Sequence, residues 1–253
     1  MAKTGEVRIG VYVPGGAQLL DLSPIDLLAM LSPKYLAACM LPAPLVSLGL
    51  PSQIHYIGLP ETGTHMELTA SAFLKVTKTT KDIEVQPGQL DIILVPGADP
   101  STVFGEEALE FLRAHATWRS EDGEGIDILS VCTAAYLLGQ SGILDGKVAS
   151  GPRALVPALR KKFPGTNWDD SKRWVKDGHI WTSGGITNGQ EMVAAYIREK
   201  FPGPAAEAAL EMAGVGDKGI DYERSKSGDT LWWLWQILKA VIVGNSSVKK
   251  KGM

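Results

Sequence analysis

The chain has 253 residues, 45% of them hydrophobic and 21% charged, with a formal net charge of −3. This composition excludes a disordered or collagen-like polymer, and at roughly 100–200 residues per domain it allows one large domain or two small ones. No basic excess exists to neutralise phosphates, so no nucleic-acid partner is expected. The two cysteines, Cys39 and Cys132, are too few for a disulfide framework and have no CxxC spacing. The four histidines, His55, His65, His115 and His179, are scattered without HExxH or Cys/His clustering, so no metal site is expected.

Val7–Val13 is a short apolar run interrupted by Arg8, which suits a first buried strand rather than a signal peptide, and a Gly15-Gly16 turn follows. Asp21–Leu31 has helix-start chemistry, with Ser23 at a cap position and Pro24 in the first turn. Asp91–Val95, closed by Pro96-Gly97, is the continuous apolar run of a central parallel strand covered on both faces. Glu106–Arg119 is expected to be helical, Ile126–Val131 a strand, and Thr133–Gly142 a helix ending in glycine. Lys172–Thr182 has the alternation and the Asp177-Gly178 turn of a β-hairpin. Thr187–Phe201 and Ala205–Ala213 complete the series as helices separated by Pro202-Gly203-Pro204.

Strand–helix alternation predicts an α/β domain with a mostly parallel sheet flanked by helices, over residues 1–215. Residues 216–253 read as an extension whose Trp-rich segment, Leu231–Val243, is apolar on nearly every helical face and is followed by Lys249, Lys250 and Lys251. That segment is expected to bury itself against the domain or a dimer partner, with a membrane-surface helix the less favoured reading. No run of 18 uninterrupted apolar residues occurs, so a spanning helix is not expected and a cytoplasmic address is. Gly214-x-Gly216-x-x-Gly219 matches a dinucleotide fingerprint formally but lacks the preceding strand and following helix. Gly142–Lys147 lacks P-loop spacing and reads as a helix-to-strand turn, and the Asn245-Ser-Ser247 sequon has no export context.

Cys132 carries the chemical signal. It follows an apolar strand directly and opens the next helix, a sharp turn that projects a side chain from the carboxyl edge of the sheet. There the positive end of the helix dipole is expected to lower the thiol pKa and favour the thiolate. Cys39, inside an apolar run without turn or charged neighbour, is expected to be packing.

Leu20-Asp-Leu-Ser-Pro24, Val95-Pro-Gly97, Ser130-Val-Cys-Thr133, Gly142-Ile-Leu-Asp-Gly-Lys147 and Thr182-Ser-Gly-Gly-Ile-Thr187, with Asp177-Gly178, together resemble the ThiJ/PfpI superfamily, and within it the isonitrile hydratase branch. The match runs in order over roughly residues 6–215. The resemblance implies a flavodoxin-like three-layer α/β sandwich, a nucleophile-elbow cysteine at Cys132, a homodimer, and no cofactor. It places an acidic residue after the first strand against the sulfur, which here is Asp21, while Asp26 one turn on reads as a solvated or structural carboxylate. It also assigns Thr133 and the amides near Gly97 and Ala98 to orienting or stabilising the intermediate. The chain departs from the wider pattern at Thr133, where many members have histidine, and at Ser150-Gly-Pro-Arg153, where some place a later histidine. Ala98 stands where a second glycine is usual.

The leading expectation is a cofactor-free hydro-lyase acting on a small-molecule carbon electrophile, an isonitrile first, with Cys132 as nucleophile and Asp21 as general acid/base. The alternatives are a glyoxalase-type or secondary-metabolite enzyme acting on a carbonyl, and a redox-sensing or chaperone-like dimer that uses an oxidisable Cys132.

Overall fold

The computed structural model describes residues 5–222 and residues 225, 227, 228, 230, 231, 234 and 235. The strands are β1 (Val7–Tyr12), β2 (Ser52–Gly58), β3 (His65–Glu67), β4 (Phe73–Lys75), β5 (Lys78–Thr79), β6 (Ile92–Val95), β7 (Asp127–Ser130), β8 (Val148–Ala149), β9 (Asn167–Trp168), β10 (Trp174–Asp177) and β11 (Ile180–Ser183). The helices are α1 (Pro24–Ala29), α2 (Pro33–Ala38), α3 (Ala43–Val46), α4 (Glu106–Thr117), α5 (Ala134–Ser141), α6 (Val156–Lys162), α7 (Ile186–Lys200) and α8 (Pro204–Ala213).

Seven strands form one sheet in the order β10-β11-β7-β6-β1-β2-β5, parallel throughout except for the β10–β11 hairpin. Side chains alternate between its faces with period two. Ile9, Val11, Leu94, Leu129, Val131 and Trp181 face α1 and α7 through Leu27, Leu28, Val193 and Ile197. Tyr12, Ile93, Val95, Ile128 and Ile180 face α4 and α5 through Ala108, Leu112, Ala134 and Leu138. Helices on both faces explain why the central strands read as unbroken apolar runs, and the result is the expected three-layer α/β sandwich. Gly10 sits where this packing is tightest: a Cβ there would lie 2.7 Å from Ile57 Cδ1 and 2.8 Å from Leu90 Cδ1.

Chain direction fixes the location of the crevice. From β1 the chain passes outward to β2 and β5, then returns to lay β6 on the other side of β1. The carboxyl ends of β1, β6 and β7 therefore open at the point where strand order reverses, the usual ligand-binding position in open α/β sheets.

Two sequence expectations change on folding. Asp21–Leu31 is not one helix: a 3-10 turn, Leu19–Leu22, precedes α1, because Pro24 at the first helical position has no N–H and the hydrogen-bond ladder restarts there. Ser23 occupies the N-cap but makes no side-chain cap; its hydroxyl donates back to Leu20 O at 2.7 Å. Cys39 is exposed rather than packed, since six-residue α2 turns one side to the core and Leu36 takes it. Gly142 and Gly178 adopt positive φ of 78° and 63° at the helix end and hairpin turn foreseen for them. Gly214 likewise ends α8 with a φ of 64°, so the formal fingerprint is a helix stop.

Two compact units divide the chain, Met1–Ile220 and Asp221–Met253. Residues 216–220 are tied into the first, where Gly216 and Lys218 donate N–H groups to buried Glu191 and Arg173 N–H donates to Ile220 O. In the second unit Leu231, Leu234 and Trp235 are helical. The remainder of the Trp-rich segment, the three lysines and the sequon lie outside the described residues. Among the described residues no helix is long and apolar enough to cross a membrane.

Candidate active site

Three loops leaving adjacent strands build the site. The turn after β1 carries Asp21, the loop after β6 carries Gly97 and Ala98, and the junction of β7 with α5 carries Cys132 and Thr133. Cys132 has φ of 59°, in the left-handed region that an L-residue enters at a cost of roughly 1–2 kcal/mol. Strand pairing up to Val131, whose N–H donates to Val95 O, and the start of α5 immediately afterwards force that sharp reversal. The side chain is partly exposed at the carboxyl edge of the sheet.

Asp21 is fully buried. Its Oδ2 accepts the Gly97 N–H at 3.1 Å, and its Oδ1 receives no N–H or O–H donor. Gly97 O in turn accepts the Gln18 N–H at 2.8 Å, so Asp21's loop holds both backbone groups of this residue. Burial pushes the Asp21 carboxyl up to about 7, with the Gly97 N–H and the Cys132 thiol pulling in the opposite direction.

The thiol departs from the sequence expectation. Burial first and the Asp21 charge second push Cys132 up to about 12, outweighing the lowering by the Thr133 N–H and hydroxyl. The eight-residue α5 offers too little positive potential to offset a carboxylate beside the sulfur. Near neutral pH the resting pair is therefore a protonated thiol next to a carboxyl poised between its two states.

Gly97 and Thr133 also differ in detail from their expected parts. The Gly97 N–H is spent on Asp21, whereas the Ala98 N–H makes no hydrogen bond within the described residues. Thr133 donates its hydroxyl to Ala98 O at 2.7 Å, fastening the β6 loop to the start of α5. Ala98 has no positive φ, so the alanine in place of a second glycine imposes no backbone strain.

Glycine at 97 is demanded by space. A Cβ there would lie 2.6 Å from Asp21 Oδ2 and 2.9 Å from Thr133 N, and closer still to Thr133 Oγ1. Gly97→Ala is expected to push the carboxyl off its N–H donor and to cost about 1–3 kcal/mol of stability through overpacking. Activity should fall on the order of 10²-fold, as for about 1 Å of misplacement, and kcat measured beside the thermal midpoint separates the two effects.

All four histidines are placed elsewhere. His55 and His65 lie on β2 and β3, and His115 in α4 is buried with its ring nitrogens 2.7 and 3.0 Å from Phe111 O and Val85 O. His179 sits in the β10–β11 turn against Ala116 O, before the amino end of β11. Ser150, at the position of the later family histidine, is buried; its N–H donates to Thr182 Oγ1 at 2.7 Å and its hydroxyl to Lys172 O. Asp26 is exposed, as a solvated carboxylate should be. Among the described residues no three His, Cys, Asp or Glu side chains converge where a metal ion would sit.

Sequence reasoning passed over Ser130 and Gln190. Ser130, two residues before the elbow, buries a hydroxyl that has no hydrogen-bond partner. Gln190 reaches Ser23 from 167 residues away, a contact without any local signal.

Residues 53–199 match the family model described as the DJ-1/PfpI family. The chain is 34% identical over 131 residues to an isonitrile hydratase of Pseudomonas putida, an alignment spanning half of each protein. It is 33% identical over 88 residues to the HTH-type transcriptional regulator GlxA of Rhizobium meliloti, covering 35% of this chain and 27% of that one. The crystal structure of Drosophila melanogaster DJ-1beta superposes with a TM-score of 0.61 at 17% identity, over 83% of this chain and 98% of that chain. The mostly parallel sheet, the flanking helices and the matched segment agree: the chain belongs to the DJ-1/PfpI family.

Proposed function

We propose that the protein is a cysteine-dependent hydro-lyase that needs no cofactor and hydrates small carbon electrophiles, with isonitriles as the substrate class. The observation that carries this reading is the buried Asp21 carboxyl, held by Gly97 beside the Cys132 thiol with its pKa raised to about 7. A general acid/base works best when its pKa lies near the operating pH. The stretch of 34% identity to an isonitrile hydratase supports the choice of electrophile.

The chemistry closes on these two side chains. As Sγ bonds to the terminal isonitrile carbon, the thiol proton passes to the Asp21 carboxylate. Asp21 returns it to the same carbon, leaving a thioimidate, Cys–S–CH=N–R. Water then adds to that carbon, one of its protons travelling through Asp21 to the imine nitrogen. Collapse breaks the C–S bond, returns the remaining hydroxyl proton to sulfur and releases the N-substituted formamide. In this reading the Ala98 N–H would stabilise charge that develops during these steps, while Thr133, which donates to Ala98 O, keeps its loop in place. Starting from a protonated thiol suits this route, because the carboxylate removes the proton only as the carbon–sulfur bond forms.

The raised thiol pKa weighs against the redox-sensing alternative. Peroxide attacks the thiolate, and a thiol held up to about 12 presents little of it at neutral pH. The carbonyl alternative shares the nucleophile and is separated by substrate. Incubating the protein with cyclohexyl isonitrile and with methylglyoxal, with product analysis and intact-mass detection of the adduct, is expected to give N-cyclohexylformamide and a transient Cys132 adduct from the isonitrile. Turnover of the aldehyde alone would transfer the assignment to carbonyl chemistry. A homodimer belongs to the same proposal, and a molar mass of one chain in solution would remove it.

A further inference from the structure

The two reacting side chains come from loops 111 positions apart, and something must register one against the other. The first turns of α7 touch both. Gly189 packs directly on the strand residue before the nucleophile: a Cβ there would lie 2.5 Å from Val131 Cγ1 and 3.1 Å from its Cγ2. The next residue, Gln190, donates from Nε2 to Ser23 Oγ at 2.9 Å. Ser23 Oγ donates to Leu20 O at 2.7 Å, the carbonyl of the residue preceding Asp21. The serine that occupies the N-cap of α1 is thereby turned away from capping and toward the Asp21 turn. Helix α7 thus presses on the base of the elbow with one residue and grips the carboxylate's turn with the next.

We infer that Gln190 is a positioning residue: acting through Ser23, it sets the Asp21 carboxyl against the Cys132 thiol. The inference rests on the proton-sharing role proposed for that pair. Within the pair, the Gly97 N–H holds Asp21, and the Cys132 thiol lowers its proton affinity. A turn released at Leu20 loosens both contacts together, because Gln18 and Asp21 hold the two backbone groups of Gly97.

The test uses alkylation of Cys132 by iodoacetamide in the full-length chain, followed by peptide mass spectrometry so that exposed Cys39 is counted separately. In the wild type the Cys132 rate is expected to show an inflection near pH 7 and to rise less steeply above it, as Asp21 loses its proton and its charge holds the thiol up. Gln190→Met and Ser23→Ala should each raise the rate at pH 8 by about two- to tenfold, the size of one net hydrogen bond, because a carboxylate set less closely against the sulfur holds the thiol up less, and displace the inflection. Ser23→Thr should restore the wild-type profile, and the double variant should be no faster than the faster single one. In an Asp21→Asn background Gln190→Met should change nothing further. A wild-type profile in Gln190→Met, or the same gain persisting without the Asp21 carboxylate, overturns the inference. Failure of the proton-sharing reading shows separately, as an Asp21→Asn profile that keeps the inflection. Failure of the isonitrile assignment leaves the alkylation result untouched.

Discussion

Cys132→Ala is expected to abolish hydration of isonitriles, a loss on the order of 10⁴-fold or more in kcat, while the protein stays folded. The sulfur forms the bond to carbon, and no other nucleophile meets Asp21 within the described site. The fold should tolerate the change because the sheet pairs up to Val131 and α5 begins at Ala134 whatever occupies the junction. The backbone supplies an internal control. At a φ of 59° any L-residue is strained, so Cys132→Gly should melt at a higher temperature than Cys132→Ala although both are inactive. Isonitrile turnover by Cys132→Ala at the wild-type rate would remove the thiol from the mechanism. A glycine variant less stable than the alanine variant would remove the strain.

Asp21→Asn should separate three properties that usually move together. Turnover falls by about 10²–10⁴-fold, because asparagine still accepts the Gly97 N–H but cannot carry a proton between sulfur, carbon and water. The Cys132 thiol becomes more acidic, since the Asp21 charge and its hydrogen bond are both causes that raise it. A more abundant thiolate with less catalysis would show that proton management, not nucleophile ionisation, limits the reaction. The fold also becomes more stable at alkaline pH. Asp21 has a folded-state value of about 7 against an ordinary 3.8, so the folded chain binds this proton more tightly than the unfolded chain does. Its contribution is fully present below pH 3.8 and is lost as pH rises through about 7, because the ionised carboxylate must then be kept buried. Asp21→Asn should therefore raise the thermal midpoint at pH 8 and close much of that gap at pH 5. Equal midpoints for the two proteins at pH 8 would show that ionised Asp21 carries no such penalty.

The sequence exposed those parts of the molecule whose physics is local. β6 and β7 are apolar on consecutive residues because both sheet faces are covered, and the glycines at 142 and 178 mark their turns through φ. The elbow was visible as a cysteine between such a strand and a helix. Residues 32–90 resisted, because β2 is only half buried, β3 to β5 are two or three residues long, and pairing partners rather than composition make them strands. Within the site, Cys132 and Asp21 were legible as residue types at turns, but their proton affinities were not. Helix polarity at position 132 is a local property, whereas desolvation by surrounding loops and a carboxylate 111 residues away are not. For the same reason Ser23 read as a cap: its partner Gln190 is remote in the chain.

Gly97, which accepts the Gln18 N–H on its carbonyl and donates its N–H to Asp21, ties the carboxyl through two consecutive peptide units to the position of the β6 loop. Its N–H is one of the two donors that lower the Asp21 proton affinity. Without that donor the buried carboxyl would hold its proton still more tightly, so its proton affinity reports where the β6 loop stands.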